Sequence, residues 1–578
     1  MTIIGTAGHV DHGKSTLVAA LTGTHPDRLA EERRRGLSID LGFAHATLPS
    51  GADISVVDVP GHVRFLHNML AGVGAVSGCL FVVDAKEGWK PQSEEHLRIL
   101  ELLDVPTGVV AVTKADLVGA DELATTVADV AGRVAGTFLA DAPRIPVSVV
   151  DGTGMAELVA ALEGVCATAP PVPDRGRPRL WVDRVFTAAG SGTVVTGTLT
   201  DGTLAVGDEV SIAPGGRTAR IRAIQTAGAT LDTALPGTRV ALNLAGVDHY
   251  ALSRGDAVVG PQRWLPTDRC DASLRVLDSV GHDVTRRGAY VVHTGTAEVT
   301  ARLRVVGSAD AVAAGAEGAV RLHLARPLPL RPGDRYELRE SGRGETVGGG
   351  EVLDLAPVLP VRRASPNRSL DRLVSERGWV TADDVEALTG ERITPVVGRW
   401  VVALDALAAL RTELARRVEE AGVAGLDVAA LDERERAVLD ELDVTIERGV
   451  ARAAAATDRF AAHSALADLR AGGLMPDDPG IARAEVRELV HRGLAVERDG
   501  ILFHPDAIAA AAGVAASLLA VRPDGFTVAE FRDATGTTRK FALPLVAELD
   551  ARAVTRRRGD RHIAGPRLPP VTDPASDA

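Results

Sequence analysis

Lysine is nearly missing from this chain. Of its 64 basic residues only five are lysine (Lys14, Lys86, Lys90, Lys114 and Lys540), and the rest are arginine. The drift towards Arg, Ala and Gly resembles a coding bias, so a lysine that survives it marks a place where a compact ammonium serves better than a guanidinium fork. Cysteine is scarce as well. Cys79, Cys166 and Cys270 lie far apart with no C-x-x-C, which argues against a zinc or disulfide framework and suits a reducing cytosol. No basic segment or apolar signal core precedes the first candidate strand, at residues 1–6. The longest apolar run, 507–521, is mostly alanine broken by a glycine and a serine, and reads as a buried helix, not a membrane span. A cytoplasmic protein without a membrane partner is expected.

What is present points to several domains. A chain of 578 residues is too long for one core, and 46% hydrophobic content is ample for burial. The net charge of −13 requires any nucleic-acid contact to be local, not spread over the surface. A local excess exists near the C-terminus, where residues 525–567 hold nine Lys/Arg against five Asp/Glu.

Residues 2–168 alternate short apolar strands with helical stretches, the pattern of a mostly parallel sheet flanked by helices. The proline-rich stretch 169–178 reads as a linker. Short β patterns with Gly-Asp turns follow, and fit two antiparallel barrels at about 178–263 and 268–356. A second linker, 356–369, leads to an Ala/Arg/Glu-rich helical region ending near 565, and 566–578 reads as a disordered tail. This region echoes itself: Gly378-Trp379 to Thr389-Gly390 and Gly525-Phe526 to Thr535-Gly536 each read as a short capped helix, a turn and another helix. In the second copy Thr527 and Glu530 fit a capping box. A helix with a stripe at Ala542, Leu545, Val546 and Leu549 and a Gly559-Asp560 hairpin complete a winged-helix pattern, with Pro544 tolerable only near the helix start.

The chemistry lies in the first 170 residues. Residues 8–16 read GHVDHGKST, which satisfies G-x-x-x-x-G-K-[ST] after a strand and before a helix. Glycines let backbone N–H groups wrap phosphates, and the helix N-terminus adds its dipole. Asp11, His12, Gly13, Lys14, Ser15 and Thr16 would line the nucleotide; Lys14 would reach the β- and γ-phosphates, and Ser15 would ligate magnesium. Residues 58–62 read DVPGH at a strand end, where Asp58 can hold the magnesium through water and the Gly61 N–H can sense the γ-phosphate. TKAD (113–116) follows another strand. Asp116 suits the guanine N1 and N2 donors, the Lys114 stem packs on the base, and Ser148 stands where a last loop meets O6. A carboxylate there selects guanine, because adenine would leave it buried and unpaired. Four elements in the right order predict a GTP-binding domain.

GHVDHGKST, DVPGH and PQSEEHL (91–97) together resemble the translational GTPases, the class of elongation factor Tu. Thr113 stands where many members have Asn, which normally ties loops together, so modest nucleotide affinity is expected. Residues 35–44, RGLSIDLGFA, resemble the first switch loop, with Ser38 as a magnesium ligand in place of the usual Thr. Asp40 and the following LGFA are similar to selenocysteine-specific elongation factors (SelB). So are the segments 183–198 and 339–354, and a C-terminal extension whose last part, 525–565, looks like a terminal SelB winged helix.

The resemblance implies a multidomain fold: an α/β P-loop GTPase domain (1–172), barrels at 178–263 and 268–356, and tandem winged helices over 365–565. It implies a monomeric GTPase that delivers selenocysteyl-tRNA to the ribosome at UGA codons, recruited by an mRNA hairpin (SECIS). His62 would orient the attacking water behind an apolar gate of Val10 and Leu37. Phe43, Asp183, Arg184 and Arg239 would form a selenocysteine pocket, in which guanidiniums favour an ionised selenol over a serine hydroxyl. Arg539, Lys540, Arg556, Arg557, Arg558 and Arg561 would grip the hairpin. Two alternatives remain at this point. One is a translational GTPase with another cargo or a regulatory role; the other is a GTP-governed DNA reader, against which the acidic bulk counts.

Overall fold

Strands β1 (Thr2–Ala7), β2 (Gly42–Thr47), β3 (Asp53–Asp58), β4 (Gly78–Asp84), β5 (Gly108–Thr113) and β6 (Arg144–Pro146) form one sheet in the order β2-β3-β1-β4-β5-β6. All neighbours run parallel except β2 with β3. β4 and β5 are buried at every residue, which is why they read as unbroken apolar runs and not as alternating ones. Among the described residues four helices cover the sheet: α1 (Lys14–Thr22), α2 (Pro91–Leu102), α3 (Ala120–Val134) and α4 (Met155–Thr168). Leu97, Ile99, Leu100, Val130 and Val134 of α2 and α3 fill one core with Ile3 and Phe81. Leu17, Val18, Leu158 and Leu162 of α1 and α4 fill another with Ile4 and Leu80. The sheet is therefore wound on both faces, and the ligand position of such folds is at the carboxyl ends of the strands. The computed structural model describes residues 2–26, 41–59, 76–188, 192–422, 424–453 and 463–570.

The period-2 stretches that follow close into two barrels. The first runs through β7 (Arg179–Ala188), β8 (Gly192–Thr200), β9 (Glu209–Ala213), β10 (Arg217–Thr226), β11 (Arg239–Ala245) and β12 (Ala257–Val259) in the order β9-β12-β7-β8-β11-β10, closed by pairing of β9 with β10. The second is the closed barrel of β13 (Thr267–Val276), β14 (Tyr290–Thr294), β15 (Ala297–Val305), β16 (Glu317–Leu328), β17 (Arg335–Glu340) and β18 (Glu345–Asp354). β15 shows the reason plainly: Ala297, Val299, Ala301 and Leu303 are buried and the residues between them are exposed.

The second barrel's core continues without a break into Leu373, Val374, Val380, Val385, Leu388 and Val401. These belong to α5 (Leu370–Arg377), β19 (Trp379–Thr381), α6 (Ala382–Thr389) and β20 (Trp400–Val402). Thr381 caps α6 by accepting from the Asp384 N–H, and Gly390 ends it in the left-handed conformation. Here the structure departs from the sequence expectation of a second helix after the turn. Residues 391–399 hold no helix, and the chain returns as β20 to pair with β19. Pro395 removes a donor and the β-branched Val396 and Val397 resist helix, so a turn between Val397 and Trp400 forms instead.

The chain divides into two compact units, Met1–Ala406 and Leu407–Ala578. Along the described residues that follow α6 lie α7 (Leu404–Ala421), α8 (Glu433–Leu439), α9 (Ser464–Gly472), α10 (Arg483–His491) and α11 (Pro505–Val521). Among the described residues of the second unit, helices lead three times into a hairpin: Val444–Glu447 with Val450–Ala453, Val496–Arg498 with Ile501–Phe503, and Thr555–Arg558 with Arg561–Ala564. The last of these follows α12 (Val528–Thr535) and α13 (Arg539–Ala551), with a full Thr527/Glu530 capping box at the start of α12. The alanine-rich run forms the helix Pro505–Val521, whose Ala507, Ile508, Ala511, Ala515 and Leu519 are buried against Phe531, Leu545 and Leu549. Pro544 sits buried in the second turn of α13. Among the described residues no helix is long and apolar enough to cross a membrane.

Candidate nucleotide site, adjoining pocket and basic module

The phosphate-loop motif joins the end of β1 to α1. Gly8 has φ 129°, and a Cβ there would lie 2.1 Å from the Val82 carbonyl oxygen. Only glycine fits. Asp11 (φ 63°) and Gly13 (φ 87°) complete the curl, and Gly13 caps α1 without a side-chain bond. The first-turn N–H groups of α1 are thus directed at the hollow of the loop, the arrangement that attracts anions. Lys14 is folded back over the loop, and its Nζ donates to the carbonyls of Gly8 (3.0 Å) and His9 (2.8 Å).

Ser15 and Asp58 meet at the mouth of this hollow. Ser15 Oγ donates to Asp58 Oδ2 at 2.6 Å, while Thr6 donates to Oδ1 at 2.8 Å and takes the Val59 N–H at 3.0 Å. A hydroxyl beside a buried, oriented carboxylate is a hard oxygen donor set of the kind magnesium takes. Thr6, which orients this carboxylate, is a residue that sequence reading missed; its only signal is a threonine near the end of an otherwise apolar strand.

At the other end of the hollow, Thr113 Oγ1 donates to the His12 carbonyl at 2.7 Å and lies 3.3 Å from the Val83 carbonyl. The loop tie expected to weaken with the loss of Asn is therefore made by a hydroxyl. Lys114, in the left-handed conformation, reaches Asp84 Oδ2 (2.7 Å) and the Asp11 carbonyl (2.9 Å). Burial pushes the Asp84 carboxyl up, but the Lys114 ammonium and the N–H groups of Glu87 and Lys86 outweigh it and hold the group below its usual range. Asp116 is exposed on the turn Ala115–Leu117. The buried Ser148 sits on the neighbouring loop, which a bond from the Ala115 N–H to the Val147 carbonyl (3.2 Å) draws alongside. Leu117 and Val150 stand exposed on these two loops, an apolar border for a flat ring.

Beneath the loop lie buried imidazoles. Burial lowers His12 to about 4 and His96 to about 3, so both are neutral at physiological pH. His96 Nδ1 accepts the Gly8 N–H at 3.0 Å and Gln92 Oε1 accepts the Val10 N–H at 3.2 Å. Both belong to the PQSEEHL segment at the start of α2. Of the residues expected at the γ-phosphate end, Ser38, Gly61 and His62 lie outside the described residues, as does Leu37 of the gate.

The four pocket residues come together where the first barrel meets β2. A register shift in the β7–β8 pairing between Val182 and Arg184 leaves Asp183 as a bulge residue, a device that re-aims side chains beside sites. Asp183 is buried and receives Arg239 through two bonds, Nε to Oδ2 (3.1 Å) and Nη2 to Oδ1 (2.9 Å), plus the Thr196 hydroxyl. The Arg184 guanidinium lies 5.1 Å and that of Arg239 3.5 Å from the Phe43 ring centroid, and Arg184 also donates to the Leu41 carbonyl. Asp183 is thus no plain surface ion pair: it is buried, and its two bonds orient Arg239 over the Phe43 ring.

In the final module Arg539 opens α13 together with Lys540, whose Nζ lies 5.0 Å from the Phe541 ring. Arg532, Arg539 and Arg557 line one groove with Asp550 and Asp560. Arg556, Arg557 and Arg558 are exposed on the hairpin. Arg561 differs: it donates to the Gly525 carbonyl at 2.7 Å, so it also braces the module. A second basic cleft, on the second barrel, gathers Arg269, Arg286, Arg302, Arg304 and Arg362 around His323. It was invisible in the sequence because its members come from separate segments.

Four family descriptions match successive segments: elongation factor Tu GTP-binding domain (1–168), elongation factor Tu domain 2 (192–259), selenocysteine-specific elongation factor β-barrel domain (280–358) and elongation factor SelB winged helix (518–564). The chain is 38% identical over 391 residues to the selenocysteine-specific elongation factor of Desulfomicrobium baculatum, covering 68% of this chain but 60% of that relative's length. It is 34% identical to elongation factor Tu 2 of Streptomyces avermitilis, covering 60% of this chain and 95% of the relative. The crystal structure of a bacterial selenocysteine-specific elongation factor, EF-Sec, superposes with a TM-score of 0.69 at 25% identity, over 98% of this chain and 100% of that one. The chain belongs to the translational GTPases and, within them, to the selenocysteine-specific elongation factor (SelB) family.

Proposed function

We propose that this protein is a GTPase that carries selenocysteyl-tRNA to the ribosome at recoded UGA codons and is recruited there by an mRNA hairpin. The observation that carries the reading is the junction of two sites in one unit: a phosphate loop with Lys14, Ser15 and Asp58 in register, and an arginine-lined pocket built on Phe43 next to it. In this reading the loop N–H groups and Lys14 bind the phosphates, and Asp116, Lys114 and Ser148 hold the guanine. Ser15 and Asp58, with Ser38, would hold a magnesium ion, which supplies charge neutralisation at the β- and γ-phosphates. His62 orients the attacking water. The Arg184 and Arg239 guanidiniums offer a selenolate charge-assisted bonds that a neutral serine hydroxyl cannot match. The final module, with its basic hairpin and the exposed start of α13, takes the RNA. The protein works in the cytoplasm as a monomer.

The deciding measurement is binding of selenocysteyl-tRNA against its seryl-tRNA precursor in the presence of GTP. A strong preference for the first is expected. Equal binding would reassign the protein to another cargo within the same family.

A further inference from the structure

Two acceptors of α2 reach the phosphate loop from below. The Gly8 N–H goes to His96 Nδ1 and the Val10 N–H to Gln92 Oε1. On the other side, the carbonyls of Gly8 and His9 both receive Lys14 Nζ. The Val10 N–H and the His9 carbonyl are opposite ends of one planar peptide unit. That unit is therefore held at both ends, by Gln92 and by Lys14, and a flip would break both bonds together. Gly8 is gripped similarly, by His96 at its N–H and Lys14 at its carbonyl, while the Val82 carbonyl leaves no space for a Cβ.

We propose that Gln92 and His96 are positioning residues for the nucleotide: they fix the plane of the loop's first peptides, and through them the place of Lys14, before phosphate arrives. The inference rests on the guanine-nucleotide reading above. Because α2 takes up these N–H groups, the loop keeps its shape without a ligand, and little reordering accompanies binding. His96 can act this way only as a neutral acceptor, and its complete burial keeps it so. Gln92 is half-buried at the helix start, so it can be replaced without opening a core. The chemistry explains the spacing: Gln92 and His96 are four residues apart, on one face of α2.

The test is release of GDP bearing a fluorescent N-methylanthraniloyl group from the full-length protein. Gln92→Ala should release it about five- to tenfold faster than wild type, the effect of one lost hydrogen bond, with an unchanged melting temperature. His96→Asn retains an acceptor and should stay near wild type, while His96→Leu should accelerate release like Gln92→Ala. Unchanged release from both Gln92→Ala and His96→Leu would overturn the proposal, and Gln92→Ala alone decides if the leucine variant does not fold. A wild-type protein that binds no guanine nucleotide would instead overturn the reading beneath it.

Discussion

The guanidinium of Arg239 lies 3.5 Å from the centroid of the Phe43 ring, so an arginine of the first barrel and an aromatic of the GTP-binding domain share one contact. Phe43 is on β2, and its chain neighbour Gly42 pairs across the sheet with Asp58. The pocket and the proposed magnesium carboxylate are thus one register step apart. A change at the nucleotide end that moves β2 must also move the aromatic floor under the two arginines.

Arg239→Ala should remove the preference for selenocysteyl-tRNA over seryl-tRNA, at a cost of roughly 1.5–3 kcal/mol in selenocysteyl-tRNA affinity alone. Asp183→Asn should weaken the same preference less, because it releases Arg239 from its bidentate hold without removing the charge. Parallel affinity measurements with the two tRNAs check both. Discrimination that survives removal of Arg184 and Arg239 together would rule out charge as its basis.

Thr113→Val should lower GTP affinity by about 0.5–1.5 kcal/mol, the net value of one buried hydrogen bond. The hydroxyl lost is the one that ties β5 to the His12 carbonyl. Valine keeps the branched shape, so the melting temperature should fall little while nucleotide affinity, read by titration, falls by several-fold. Affinity equal to wild type would show that the loop needs no tie at this position.

Much of this was legible in the sequence, for a physical reason. The phosphate loop, the aspartate at the end of β3 and the lysine and aspartate after β5 are each local: a glycine-rich turn or a short loop between a strand and the next element carries the whole signal. The barrels were legible as alternation with Gly-Asp turns, and the last module as a capping box followed by a stripe. What stayed hidden depends on distant parts of the chain. The hold of His96 on Gly8 spans 88 positions, the tie of Thr113 to His12 spans 101, and the bulge at Asp183 exists only relative to its partner strand. Residues 391–399 misled because the echo of 525–536 outweighed Pro395, Val396 and Val397, and the return of β20 depends on its pairing with the distant β19.

Stability should carry a signature of Glu337 between pH 4.5 and 7. This carboxyl is fully buried on β17, with Oε1 taking the Thr346 hydroxyl and Oε2 without a hydrogen-bond partner among the described residues. Burial pushes it up to about 7, against the Thr346 bond and Arg339 4.0 Å away, with Glu95 of α2 adding to the rise. A carboxyl raised from 4.5 to about 7 lends its full stability below 4.5, and that stability is lost as pH climbs through 7. His12 and His96, lowered to about 4 and 3, act in the opposite window: their effect lies below 6.5. Between pH 4.5 and 7 the wild type should therefore lose melting temperature relative to Glu337→Gln, the gap should level off above 7, and the two should converge below pH 4.5. Parallel melting curves across that range would expose a carboxyl that stays ionised.

Replacing Arg539 and Lys540 together by glutamine should cost on the order of 1–3 kcal/mol in affinity for the mRNA hairpin and flatten its salt dependence. Both occupy the first turn of α13, where the helix offers N–H donors and the side chains add charge towards phosphates across an A-form groove. Arg539 shares a groove with Arg532 and Arg557, so helix and hairpin present charge to the same backbone. Arg556, Arg557 and Arg558 are exposed on the hairpin, and neutralising them should lower affinity with no change in melting temperature. Arg561→Ala should behave differently. Its bond to the Gly525 carbonyl holds the start of the module against the hairpin, so it should lose both thermal stability and RNA binding. Hydrolysis of GTP and binding of tRNA should be unaffected by the double glutamine variant. If that variant binds the hairpin as tightly as wild type at every salt concentration, the RNA grip lies elsewhere in the C-terminal region.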